Sequence, residues 1–157
     1  MGHLCLVPDG RLCGCGNYGC LEQYGSGSAL VRSAREAAAG STLARDLLER
    51  AGGDVAGITG PLITEAAQDG DKFAVEQLEQ LGEWLGQGIA SLVAVLDPAV
   101  IVIGGGVSAA GDLLVDPVRD SFQRHLTGRG HRPEAEVRLA ELGNRAGVIG
   151  AADLARS

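Results

Sequence analysis

The sequence predicts an α/β fold, and three observations carry that prediction. Leu78, Leu81, Leu85, Ile89, Leu92 and Leu96 recur at steps of three and four, which writes one apolar stripe along a long helix. Asp97 and Pro98 stop that helix, and Val100–Ile103 follows as four apolar or β-branched residues, the pattern of a strand buried on both faces. Residues 136 to 142 then alternate as another strand. A long helix that feeds directly into a central strand belongs to the α/β class.

The remaining elements follow in chain order. Residues 3 to 7 alternate as a short strand, and Pro8, Asp9 and Gly10 turn the chain into a cysteine-rich loop. From 21 to 39 the pattern is helical: Leu21, Tyr24, Leu30, Val31 and Ala34 face one way, while Arg32, Arg35 and Glu36 face the other. Gly40 ends this helix and Ser41 caps the next. Between 41 and 71, short helical pieces alternate with glycines, as in a surface helix-turn-helix. Residues 59 to 68 read as one helix with Pro61 in its first turn, and Asp71 starts the helix at 72–96. Glu76, Glu79 and Glu83 lie on its solvent side, and Gly82, Gly86 and Ala90 form a second line of small residues that admits a close neighbour. After Gly104, Gly105 and Gly106 a helix runs from about 112 to 126, with Leu113, Leu114, Val118, Phe122 and Leu126 inward. Residues 146 to 155 form a closing helix.

The chemistry concentrates in residues 2–22, GHLCLVPDGRLCGCGNYGCLE, which hold all four cysteines of the chain. His3, Cys13, Cys15 and Cys20 supply three sulfurs and one imidazole, enough to close a tetrahedral zinc site. Gly14, Gly16 and Gly19 let a short loop fold back so that these side chains meet. Cys5 sits in the apolar run with Leu4, Leu6 and Val7, reads as a small buried thiol, and is left out of the set. A disulfide framework is the alternative. Zinc is favoured because the chain is well supplied with core residues and shows no secretory signal. Four protein ligands leave no open coordination position, so the ion is read as structural.

Composition narrows the rest. With 157 residues, 45% hydrophobic and 21% charged, the chain suits one ordinary soluble domain. A net charge of −7 argues against holding nucleic acid by electrostatics. Arg124, His125, Arg129, His131 and Arg132 gather some positive charge and read as a solvated face. His125 and His131 are surface residues. No apolar run has the length of a membrane span, and the chain is read as cytoplasmic. Gly104, Gly105 and Gly106 stand at the carboxyl end of a strand, where α/β sheets bind ligands, yet a triple glycine also serves any tight strand-to-helix turn. Glu22, by spacing, is a first-turn glutamate favoured by the helix dipole.

GH, nine residues, then CGCGNYGCLEQYGSG resembles the zinc signature of the ROK family of repressors, open reading frames and kinases, and within it the bacterial glucokinases. The resemblance continues through ITGPLITEAAQDGD, the long helix ending in LDP, IVIGGGVSAAGDLL and the closing GAADLAR, so it spans essentially all of residues 1–157. It implies the carboxyl-terminal lobe of an actin-like or ribonuclease-H-like sugar kinase fold. Residues 1–24 would be the zinc loop and sugar-contact segment, 72–96 the core helix, and 100–108 the strand and glycine turn of the nucleotide side. It further implies that Glu22 binds sugar hydroxyls, that His3 binds zinc through one ring nitrogen and the sugar through the other, and that Gly104, Gly105 and Gly106 lie against the adenosine side of ATP.

A ROK kinase transfers the γ-phosphoryl group of ATP to a sugar hydroxyl with an aspartate base, an amino-terminal phosphate loop and magnesium. None of these is in the sequence, so no catalytic residue is assigned to this chain. The family's Glu-X-Gly-His motif would also need a glutamate ahead of Met1. The expectation is the carboxyl-terminal half of a glucokinase, inactive alone, acting on glucose or a related hexose, with dimers or tetramers implied by the family. The small-residue line at Gly82, Gly86 and Ala90 is the candidate contact surface for such assembly. A sugar-sensing ROK repressor and a stand-alone zinc and sugar-binding module are the alternatives.

Overall fold

The computed structural model describes residues 1–131 and 133–156. Its elements run α1 (Gly27–Ala38), α2 (Arg45–Arg50), α3 (Gly60–Gln68), α4 (Lys72–Leu96), β1 (Val100–Ile103), α5 (Asp112–His125), β2 (Glu136–Leu139) and α6 (Ala146–Leu154). Side chains start three of the helices. Ser26 accepts from the Ala29 N–H, Thr59 from Leu62 and Asp71 from Ala74, each satisfying a donor that the first turn leaves free. Asp97 ends α4 in the left-handed region at φ 45°, with Pro98 behind it to prevent continuation.

α4 is the centre of the molecule. Phe73, Ala74, Leu78, Leu81, Ile89 and Val93 are buried on it, and α1, α3 and α5 pack around them with Leu30, Ala34, Ile63, Ala66, Leu114, Val118 and Phe122. Against α5 the approach is close. A Cβ on Gly82 would stand 2.6 Å from Pro117 Cβ, and one on Gly86 would stand 2.6 Å from both the Phe122 nitrogen and the Val118 oxygen. Ser121, fully buried, donates from its hydroxyl to the Glu83 carbonyl at 2.7 Å and ties the two helices at that level. β1 and β2 pair in parallel, Val100 with Glu136 through Ile103 with Leu139, joined by the α5 crossover. Ile103 and Val137 are buried beneath the pair.

Several expectations change. Residues 3 to 7 form no strand; they contribute one bridge, Cys5 to Cys20, because their backbone is committed to the hairpin that gathers the cysteines. Cys5 is exposed rather than buried. The helix read over 21 to 39 is two pieces, a 3-10 turn at Leu21–Gln23 and α1, broken where Ser26 turns extended to cap α1. β2 stops at Leu139, short of residue 142. Leu96, placed on the apolar stripe of α4, is 56% exposed, and Val93 takes the buried position in the last turns. β1 is covered on one face only: Val102 remains 61% exposed, and α6 buries none of its residues. The line at Gly82 and Gly86 is occupied by α5 and is therefore no contact surface for a second copy.

His125 is exposed as read, with Nδ1 2.9 Å from the Ser121 carbonyl. Arg124 pairs with Glu83, and Arg132 of the same basic group lies outside the described residues. Among the described residues no helix is long and apolar enough to cross a membrane.

The α4–α5 contact sets a test. Gly86→Ala forces a methyl group against α5 backbone, which cannot move aside, and lowers stability by about 1–3 kcal/mol. Thermal unfolding reads this as a fall in Tm of roughly 2–4 °C for each kcal/mol. Gly60→Ala meets nothing nearer than the Val31 methyl at 3.9 Å and should leave Tm nearly unchanged.

Candidate functional site

The first twenty residues fold as a hairpin held by its own backbone. Cys13 donates to the Asn17 carbonyl at 2.8 Å, Gly19 to Arg11 at 2.8 Å and Leu6 to Gly19 at 2.8 Å, with a further bridge between Leu12 and Tyr18. Gly19 cannot be replaced: φ is +71°, and a Cβ there would stand 1.7 Å from the Val7 carbonyl oxygen. The hairpin is also strapped to the body. The Arg11 guanidinium forks onto Glu36 of α1 at 2.5 and 3.2 Å, and the Arg11 N–H donates to the Tyr24 hydroxyl at 2.8 Å. Tyr24 in turn lies 4.9 Å from Trp84 of α4, ring centroid to centroid.

This folding brings His3, Cys13, Cys15 and Cys20 together, with one donor atom from each lying within 4.8 Å of all the others. His3 Nδ1 is 3.6 Å from Cys13 Sγ, and Cys15 Sγ is 3.6 Å from Cys20 Sγ. A tetrahedron with zinc-to-sulfur bonds of about 2.3 Å has edges of roughly 3.7 Å, so the spacing suits such an ion. The thiols are also electrostatically frustrated. The Cys15 backbone N–H, with help from His3, holds the Cys13 thiol down at about 6 against the opposing effect of burial. Burial, with its thiol neighbours second, pushes Cys20 up to about 12. Cys13 is thus the more readily ionised of the two and Cys20 the less.

Glu22 lies alongside. Its N–H donates to the Gly2 carbonyl at 2.8 Å, which sets it next to His3, and it is exposed. Nδ1 is the His3 nitrogen that faces the cluster, so Nε2 is left for another partner.

Gly104, Gly105 and Gly106 are found elsewhere, in the wall of a cleft of about 1010 Å³. Its other walls are the start of α1 (Ser26, Gly27 and Ser28), the start of α3 (Gly60 and Pro61) and the α1 side chains Val31 and Arg35. The first turn of α1 leaves the Gly27 and Ser28 N–H groups free and that of α3 leaves Gly60, while Pro61 has none to offer, and Glu36 and Glu65 add carboxylates to the same lining. The sequence reading placed the start of α3 at Thr59 but not the start of α1 at Ser26, and did not bring either to the glycine turn. The signals were there: Ser26 and Thr59 are capping residues, each followed by glycine. The glycine turn and the His3–Glu22 pair therefore belong to separate surfaces, with α1 lining the cleft and holding the cysteine hairpin through Glu36.

Comparison with known proteins accounts for these features together. The ROK family model matches residues 1–157. The glucokinase of Streptomyces coelicolor is 49% identical over 156 residues, which are 99% of this chain and 49% of that protein. A ROK glucokinase from Streptomyces griseus, solved in complex with glucose and AMPPNP, superposes with a TM-score of 0.93 at 51% identity, over 99% of this chain and 50% of that one. A ROK transcriptional regulator, a homologue of the E. coli MLC protein, superposes at 0.66 with 33% identity over 87% of this chain and 33% of that one. The chain thus spans about half the length of the glucokinases it matches. A cysteine-histidine hairpin, a long helix running into a strand and a glycine turn, all matched along the full described length, make this chain a member of the ROK family.

Proposed function

We propose that this chain is the carboxyl-terminal half of an ATP-dependent glucokinase, which transfers the γ-phosphoryl group of ATP to the 6-hydroxyl of glucose. The observation that carries the reading is the likeness, over 99% of this chain and 50% of the other, to the glucose- and AMPPNP-bound Streptomyces griseus kinase, much closer than that to the regulator. The sugar-sensing repressor is for that reason the weaker reading. The actin-like lobe is the architecture this assignment brings with it. The exposed apolar residues Val102, Val148 and Leu154 support the reading, because the other half of a kinase would cover such surface.

In this assignment His3, Cys13, Cys15 and Cys20 hold a structural zinc that fixes the hairpin. His3 Nε2 donates to a sugar hydroxyl, and the Glu22 carboxylate accepts from one. Charged acceptors make the stronger hydrogen bonds, and a hairpin fixed by metal gives them direction. Gly104, Gly105 and Gly106 present backbone to the adenosine side of ATP in the large cleft. The aspartate base and the magnesium-bound phosphates belong to the other half.

Three outcomes are expected. The pure 157-residue chain yields no glucose 6-phosphate from glucose and ATP, whereas the chain joined to its upstream half does; steady turnover by the chain alone, with host kinase removed, overturns the reading. In the joined enzyme, Glu22→Gln raises the glucose KM by roughly 10- to 100-fold, the loss of one charged hydrogen bond, with zinc content unchanged. Elemental analysis of the isolated chain finds one zinc, absent from Cys20→Ser. Zinc affinity rises with pH through the neutral range, because binding must displace the proton that Cys20 otherwise keeps, and falls further below about pH 6 as Cys13 protonates.

A further inference from the structure

Cys5 is the one cysteine outside the cluster of donors, and it stands directly opposite a member of that cluster, Cys20, in the antiparallel bridge between the two arms of the hairpin. Two backbone hydrogen bonds flank the pair, from the Leu6 N–H to the Gly19 carbonyl and from the Leu21 N–H to the Leu4 carbonyl, each 2.8 Å. Bonds at those positions make Cys5 and Cys20 a non-hydrogen-bonded pair, the closer of the two antiparallel types, with Cα atoms about 4.5 Å apart and both side chains on one face. A disulfide needs Cα atoms roughly 4.4–6.8 Å apart, so the backbone already holds these two residues at bridging distance. The Val7 N–H, which also donates to the Gly19 carbonyl at 3.1 Å, keeps the register from slipping.

The cysteines differ in how an oxidant meets them. Cys13, Cys15 and Cys20 belong to the donor set, and Cys13 and Cys20 are buried as well. Cys5 has neither protection. Exposed and uncommitted, it is the first thiol that a small oxidant reaches once metal occupies the others.

We propose that Cys5 is a peroxide-modification site with Cys20 as its resolving partner, so that oxidation exchanges the metal of the hairpin for a disulfide. Hydrogen peroxide transfers one oxygen to the Cys5 thiol, which becomes a sulfenic acid, and one water leaves. The Cys20 sulfur then attacks the Cys5 sulfur: the S–S bond forms and the S–O bond breaks. The hydroxyl departs as hydroxide from a Cys20 thiolate, or as water when Cys20 still carries its proton. Two thiols have then given two electrons to one peroxide. Cys20 is no longer a metal donor, and three ligands remain where four closed the site. The hairpin keeps its backbone, because the new bond joins residues that are already paired, and added thiols reverse the change. The loss of metal rests on the zinc reading given above; the linkage itself does not.

The 157-residue chain, purified under reducing conditions and with its zinc content measured, is treated with a small excess of hydrogen peroxide, after which free thiols are blocked and disulfides are mapped by mass spectrometry. Expected are Cys5–Cys20 as the main linkage, one zinc released for each linkage formed, and recovery of both thiols and zinc binding after dithiothreitol. Cys5→Ser removes none of the four donors and alters an exposed position, so it should still load zinc and should lose it at least about 10-fold more slowly at the same peroxide dose. No linkage, a main linkage among Cys13, Cys15 and Cys20, or Cys5 carried on to sulfinic acid while Cys20 stays free overturns the proposal, as does equally fast zinc loss from Cys5→Ser. A chain that purifies without zinc overturns the zinc reading instead, and the mapped linkage alone then decides this one.

Discussion

The arrangement of residues 1–24 depends on four donors being crowded into one place. Beside its hairpin hydrogen bonds and the Arg11 strap, little core packing supports this segment: of its side chains only Cys13, Cys20 and Leu21 are buried as core, and its backbone makes bridges and no extended strand. Once His3, Cys13, Cys15 and Cys20 lie within 4.8 Å of one another, their thiols cannot all ionise. Burial and its thiol neighbours push Cys20 up to about 12, while the Cys15 N–H holds Cys13 at about 6, an imbalance that a cation at the cluster would relieve. The metal-free hairpin is held by hydrogen bonds and by one strap to α1. In the proposed assignment, a divalent ion would supply the missing charge through four bonds and would fix the hairpin that carries Glu22.

α4 plays the corresponding part for the body of the fold. Its two lines of residues do different work: the leucines gather α1 and α3, and the glycines admit α5 to backbone contact. Pro117 sits opposite Gly82, where any side chain would collide with its ring. This fixes where α5 leaves β1, and so where the glycine turn between them stands. The turn lines the cleft because of packing some distance away.

The parts of the fold that local chemistry decides were legible in the sequence. The bounds of α3 and α4 follow from Thr59, Asp71 and Asp97-Pro98, residues that act on their own neighbours. The four donors were legible because three cysteines and a histidine so close together have few other uses. What the sequence hid depends on partners distant in the chain. Alternation over residues 3 to 7 looks the same whether the segment joins a sheet or lines one arm of a metal hairpin, and only the latter exposes Cys5. Four apolar residues in β1 imply two covered faces, yet Val102 is 61% exposed, because burial requires a second layer and none of the described residues forms one. The small-residue line on α4 was read correctly as a place of close approach, but whether the neighbour was α5 or another molecule is a tertiary fact.

α1 joins these features. One side of it lines the large cleft, where Ser26 and Gly27 open the helix, and the other side lines a smaller cavity beside Trp84 with Ala29 and Ser33. Leu30 and Arg32 touch both spaces, and Glu36 near the helix end grips Arg11 of the hairpin. That ion pair is half exposed, at 45% and 51%, so its contribution to stability is small. Its effect is geometric. A two-pronged guanidinium-carboxylate contact fixes direction as well as distance, and the Tyr24 hydroxyl bonded to the Arg11 backbone prevents the hairpin from pivoting about that one contact. With both in place, a shift of the metal hairpin moves the helix that walls the cleft. In the proposed assignment, a sugar held at the hairpin and a nucleotide in the cleft would both rest against the same twelve-residue helix, with no flexible loop between them.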